Sequence, residues 1–156
     1  MRETSRDLKS MEQLQLNNGN GQSYGYIVYR KKLPLRNGSV LSMRGRPRDL
    51  LQVVVNGVML NKPMLSFLDL ANFGVWTVKD GSMTLDLSQV PDCLEGSACT
   101  LDLFVQNLGR TNYGFPHQFD QKKGLWEGPV YLDGEKLEDW EIIPLEFKGD
   151  WVRRYI

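Results

Sequence analysis

One histidine, two cysteines and no excess of charge of either sign leave this sequence short of the parts that chemistry usually needs. Nineteen basic residues balance nineteen acidic ones. That removes the basic face with which a nucleic-acid binder displaces counterions from phosphates. A lone His117 with Cys93 and Cys99 cannot complete the usual four-ligand zinc site, so no metal is expected. No apolar run approaches the ~18 residues of a membrane span, and no membrane partner is expected. Met1 to Ser10 is polar and lacks the apolar segment of a secretory leader. If the protein is secreted, its leader belongs to a longer chain. No glycine-rich stretch runs into Lys-Ser or Lys-Thr, so no phosphate cradle and no cofactor are called for. Nor does any window of about eleven residues keep a helical apolar period, which excludes an α/β fold.

What remains is a chain of 156 residues, 41% hydrophobic, enough for one domain with a real core. Residues 1–22 are polar and end in Asn17-Asn18-Gly19-Asn20-Gly21, which reads as a flexible linker. From there the signals are those of strands. Tyr24 to Arg30 is aromatic and β-branched, and Pro34 closes it. Leu51 to Val55 meets Asn56-Gly57 and resumes as Val58 to Leu60. Asn-Gly between apolar runs marks a tight hairpin, because a type I′ turn needs positive φ at both central residues. Val75 to Val78 is a short candidate, followed by a turn at Asp80-Gly81. Met83 to Leu87 and Leu101 to Val105 alternate apolar and polar residues, as half-buried strands do. Pro129 to Leu132 meets Asp133-Gly134 and returns through Leu137. Trp140 to Phe147 is the last candidate, with Pro144 implying an edge strand or a bulge. Roughly eight short strands at close spacing predict an all-β sandwich or jelly roll. The domain is expected over 23–148, with 149–156 as a C-terminal tail.

Candidate chemistry is sparse. His117 sits in Phe115-Pro116-His117-Gln118-Phe119, an aromatic loop with no acid before Asp120, and reads as a loop imidazole. Asp133, Glu135, Glu138, Asp139 and Glu141 could supply the paired carboxylates of a glycosidase, but they sit where solvated surface residues normally sit. More unusual is Gln106-Asn107-Leu108-Gly109-Arg110-Thr111-Asn112-Tyr113-Gly114-Phe115, a loop after a strand mixing amides, a guanidinium and aromatic rings. Rings stack on the apolar faces of sugars while amides and guanidinium bond hydroxyls. The same residues would also serve a purely structural corner. Trp126, in Lys122-Lys123-Gly124-Leu125-Trp126, is either a sugar platform or ordinary core. Cys93 and Cys99 lie in a polar loop and are either a short-range disulfide or two thiols. Asn37-Gly38-Ser39 matches the N-glycosylation acceptor pattern, a weak pointer to a secretory compartment.

Several segments together resemble the family 35 glycoside hydrolases, the lysosomal-type β-galactosidases. They are Ser23 to Arg30, Val53 to Val58 and Leu101 to Gly114, continued in order by Lys123-Gly124-Leu125 and Asp139 to Leu145. Ser10-Met11-Glu12-Gln13-Leu14 resembles the family's lead-in to this region. The resemblance spans nearly the whole chain, and its most specific part is Asn107-x-Gly109-Arg110-x-Asn112-Tyr113-Gly114. It implies a galactose-binding-like jelly roll, the first β-domain after a TIM barrel that carries the catalytic glutamates. No residue here matches the family's acid/base or nucleophile motifs, so none is assigned catalysis.

The resemblance further implies that the loop faces the barrel of the same parent chain. Tyr113 would then lie close to the galactose pocket, with Arg110 and Asn112 holding the loop in place. Trp126 stands where a smaller aliphatic residue is expected, and residues 115–122 replace a variable segment. The expected role is therefore an accessory domain of a lysosomal or secreted glycoside hydrolase. The rival is an autonomous weak galactoside-binding module using Tyr113 and Trp126. The accessory role requires an unusually apolar exposed surface.

Overall fold

The computed structural model describes residues 2–36, 38–60, 77–79, 82–86, 98–119, 121–149 and 152–153. The chain is all-β. Its strands are β1 (Glu3–Ser5), β2 (Tyr26–Leu33), β3 (Val40–Arg44), β4 (Leu50–Val55), β5 (Val58–Met59), β6 (Thr77–Lys79), β7 (Ser82–Asp86), β8 (Cys99–Gln106), β9 (Val130–Leu132), β10 (Glu135–Lys136) and β11 (Trp140–Leu145). Among the described residues two antiparallel sheets form, one of order β1-β11-β2-β8-β4-β5 and one of order β10-β9-β3-β7-β6.

Alternation explains why these residues pair as they do. Along β8 burial alternates without a break, so Cys99, Leu101, Leu103 and Val105 face inward. Leu51, Val53 and Val55 of β4 and Trp140 and Ile142 of β11 do the same. Leu41 and Met43 of β3 and Val130 of β9 come from the opposite sheet into the same cluster. One core between two inner faces is the signature of a sandwich. On the outer face the register sets Arg30 opposite Asp102, and the guanidinium meets that carboxylate through two hydrogen bonds of 2.7 and 2.8 Å.

Both expected tight hairpins are present. Asn56 and Gly57 have φ of 48° and 82°, and Asp133 and Gly134 have φ of 50° and 87°. Those values suit type I′ turns, and Val55 pairs with Val58 and Leu132 with Glu135 across them. Pro144 lies where β11 is paired on one side only. Opposite it is Ile27 of β2, while β1 reaches no further than Ile142. A residue without an N–H fits where no neighbour needs one.

Two strands were not anticipated, and one of them corrects a larger expectation. Val40–Arg44 is short and lies between glycine- and arginine-rich turns, yet it is the middle strand of the second sheet. Residues 3–22, part of the stretch 1–22 expected as a flexible linker, are instead built into the domain. Glu3–Ser5 pairs with β11, and Met11 and Leu14 are fully buried. The asparagine- and glycine-rich stretch is a tight turn in which Gly21 N–H bonds Leu16 O and Gln22 N–H bonds Met11 O. At Gly21, with φ of 69°, a Cβ would sit 2.6 Å from Glu12 O, so the turn closes only with glycine there. Polarity was a misleading guide because Met11 and Leu14, with Leu8 and Leu16 packed against the same core, seat this segment.

Cys99 is buried and disulfide-bonded. Cys93, Asn37 and the Asp80-Gly81 turn lie outside the described residues, as does the start of the Val75–Val78 strand, which is seen as Thr77–Lys79. Of residues 149–156, the described part shows Val152 N–H bonded to Lys148 O at 2.9 Å.

Candidate functional site

β8 delivers the chain into a loop over 107–121 whose first residue is tied down at once. Asn107 N–H bonds Gly25 O at 3.1 Å, its Nδ2 donates to Ser23 O at 3.0 Å, and its Oδ1 accepts Gly109 N–H at 2.8 Å. Leu108 N–H then bonds Asp49 Oδ2 at 2.8 Å. Arg110 donates through Nη1 to Gln121 O at 2.6 Å and through Nη2 to Glu12 Oε1. Gln121 Nε2 bonds Thr111 Oγ1 at 2.6 Å, closing the base of the loop.

Beyond that base the loop stands clear of the domain. Tyr113 is 91% exposed and Phe115 70%, with Leu108 and Phe119 about half exposed. Side chains of this kind usually lie inside a protein. His117 lies in a short 3₁₀ turn, Pro116–Gln118, with its ring stacked on Phe115 at 5.9 Å. That places it as a loop imidazole.

The four residues singled out from the sequence fall into different settings. Arg110 anchors the loop and Tyr113 crowns it. Asn112, expected to help hold the loop, is exposed and has no hydrogen-bond partner among the described residues. Trp126 lies elsewhere, beside a hollow of about 240 Å³ lined also by Asp7, Leu8, Pro129, Lys136 and Leu137. Its indole N–H bonds Lys122 O at 3.1 Å, and the Lys122 ammonium lies 5.4 Å from the ring centre. Tyr113, Arg110 and Asn112 do not line that hollow.

The return limb after Gln121 runs inward. Lys123 is almost fully buried, its ammonium 2.9 Å from each oxygen of Asp49. Gly124, at φ of 104°, passes so close to Tyr29 that a Cβ would fall 2.3 Å from the phenol oxygen. Tyr29 accepts Leu125 N–H at 2.9 Å and donates to Lys9 O at 2.6 Å. Burial pushes its phenol far above the usual range, so it stays protonated.

Of the surface carboxylates, Glu138 and Glu141 are paired with cations. Glu138 accepts from Lys136 and Arg6 at 2.7 and 3.1 Å, and those bonds hold its carboxyl below the usual carboxylate range. A general acid needs the opposite shift. Asp133 is engaged by Val40 N–H at 2.7 Å and by Ser39 Oγ at 3.0 Å. A groove of about 390 Å³ beside β1 and β11 contains Arg6 and Arg30, already paired with Glu138 and Asp102.

Three residues of this region were not picked out individually from the sequence: Glu12, Asp49 and Lys123. Glu12 and Lys123 lie in segments that carry the family resemblance, and the short turn that carries Glu12 had a local signal of its own. Ser10-x-x-Gln13 is a capping-box pattern, and Gln13 Oε1 accepts Ser10 N–H at 2.8 Å at the start of the Met11–Gln13 turn.

The fold and this loop define an all-β sandwich domain with an aromatic loop tied to the end of its central strand. Residues 67–146 match the family described as beta-galactosidase, first all-beta domain, and the chain belongs to it. It is similar to human beta-galactosidase-1-like protein 2, with 34% identity over 94% of this chain and 19% of that protein. It is similar also to a beta-galactosidase of Xanthomonas manihotis, with 34% identity over 82% of this chain and 18% of that enzyme. Human beta-galactosidase is 29% identical over 86% of this chain and 17% of its own length. The chain thus spans less than a fifth of the curated relatives it matches. The family match takes in β6 to β11, whereas the sheets need β2, β3 and β4 between their other strands. The folding unit is larger than the matched stretch.

Proposed function

We propose that this domain is a non-catalytic accessory module of a β-galactosidase-like glycoside hydrolase. It packs on the catalytic barrel of the parent chain and helps shape the galactoside pocket through Tyr113. The folded unit is taken to end near residue 148, with 149–156 as a tail. The observation that carries this reading is the exposure of Tyr113 on a loop whose base is tied down by side chains. A ring held out from a rigid base loses little conformational freedom on meeting a second surface. Phe115, Phe119 and Leu108 supply the apolar surface that such a contact removes from water. The disulfide at Cys99 supports a secretory or lysosomal setting, since such bonds persist in oxidising compartments.

The test is Tyr113→Ala in the full-length parent. Hydrolysis of a chromogenic β-galactoside is expected to lose roughly tenfold or more in kcat/KM, as for removal of a well-packed aromatic contact. Unchanged kinetics would remove Tyr113 from the pocket.

A second reading, autonomous binding of galactosides, is favoured by the hollow beside Trp126, which joins an indole to Asp7 and Lys136. Titration with methyl β-galactoside to tens of millimolar, followed by amide and indole NMR shifts, separates the two. Shifts confined to the Trp126 hollow support autonomous binding, and none there excludes it.

A further inference from the structure

The loop over 107–121 has two limbs, and two carboxylates from distant parts of the chain each bridge both. Glu12 accepts from Arg110 on the outgoing limb with Oε1 and from Lys123 N–H on the return limb, at 3.0 Å, with Oε2. Asp49 accepts from Leu108 N–H on the outgoing limb and from the Lys123 ammonium on the return limb. Met11 N–H adds a bond of 2.8 Å to Lys123 O, so the Met11–Gln13 turn holds both backbone polar groups of Lys123. Bonds to ionised groups are roughly twice as strong as neutral ones, and a carboxylate spanning two strands of chain fixes their separation as well as their position.

We infer that Glu12 and Asp49 form a double carboxylate clamp that sets the spacing of the two limbs and so positions Tyr113 and Phe115. They are positioning residues acting through Arg110, Leu108 and Lys123. Their importance for catalysis rests on the proposed place of the loop at the galactoside pocket, whereas the clamp itself does not.

Asp49 also neutralises a buried ammonium, and removing it alone would leave that charge unpaired. Glu12 therefore gives the cleaner test. In the full 156-residue chain, Glu12→Ala is expected to speed amide hydrogen exchange over 107–121 roughly tenfold, with Glu12→Gln intermediate and β8 unchanged. The charge-matched double variant Asp49→Asn with Lys123→Met is expected to speed the same amides. Unchanged exchange in the loop, or equal acceleration of loop and β8 in both Glu12 variants, would overturn the clamp. In the full-length parent, Glu12→Ala is expected to raise KM for a chromogenic galactoside several-fold more than it lowers kcat. Faster loop exchange with unchanged kinetics would leave the clamp standing and remove the loop from the pocket.

Discussion

Residues 3–22 and the loop over 107–121 invert what their compositions suggest. The first is polar and rich in asparagine and glycine, yet it is seated in the core by Met11 and Leu14 and forms the outermost strand of one sheet. The second carries tyrosine and two phenylalanines, yet it holds them in solvent. Burial is a property of place. An apolar side chain goes inside only where the backbone can bring it there with its polar groups satisfied. The N-terminal segment manages this because Met11 O accepts Gln22 N–H, Met11 N–H donates to Lys123 O and Lys9 O accepts the Tyr29 hydroxyl. The aromatic loop is tied at its base by Glu12 and Asp49, and its crown stays in solvent.

The sharpest way to break this contrast is truncation of a core side chain in the segment that looked like a linker. Met11→Ala is expected to cost about 2–5 kcal/mol, the usual range for a buried methionine. For a domain of this size that lowers the melting temperature by roughly 4–20 °C, measurable by calorimetry. A fall under about 1 °C would show that the segment is only loosely seated.

Acid offers an intermediate test. Burial works against the charge on Glu3, but bonds from Lys9 and Gln15 N–H outweigh it and hold the carboxyl below its usual range. Burial likewise opposes the charge on Glu12, and bonds from Arg110 and Lys123 N–H prevail. Folded values below the unfolded ones mean that the stabilisation is complete above the unfolded value, about 4.3. It is lost as pH falls through the lower folded values. Exchange protection of residues 3–22 and 107–121 is therefore expected to be level from pH 7 to about 5 and to fall below about 4, ahead of β2 and β8. Loss of protection already at pH 6 would contradict this.

The smallest effect is expected at the crown of the loop. Phe115→Ser should change the stability of this chain by no more than about 0.5 kcal/mol, since that side chain is mostly solvated. A large loss in a denaturant melt would mean that Phe115 belongs to the fold and not to a contact surface.

Much of the fold was legible locally. Alternation in Leu101 to Val105 named the inward face of β8, the run Leu51 to Val55 was readable as a strand, and Asn56-Gly57 and Asp133-Gly134 marked the β4–β5 and β9–β10 turns. Val40–Arg44 was passed over because five residues between arginine- and glycine-rich turns carry too little pattern. Of the candidate site, Arg110 and Tyr113 were singled out through the Asn-x-Gly-Arg-x-Asn-Tyr-Gly stretch, and both lie in the loop after β8. Trp126 lies apart from them, beside a separate hollow. Asp49 gave no signal, since its partners Leu108 and Lys123 are far away in sequence.

By itself the sequence determined the strand periodicity, the type I′ turns and the membership of a β-galactosidase domain family, all of which rest on residues close together along the chain. Tertiary structure alone decided that residues 3–22 belong to the sandwich and that Glu12 and Asp49 meet one loop from opposite ends of the first fifty residues. The reason is physical. Alternation and turn geometry are set by neighbouring dihedral angles, whereas a carboxylate finds its cation only after the sheets have brought remote segments within hydrogen-bonding distance.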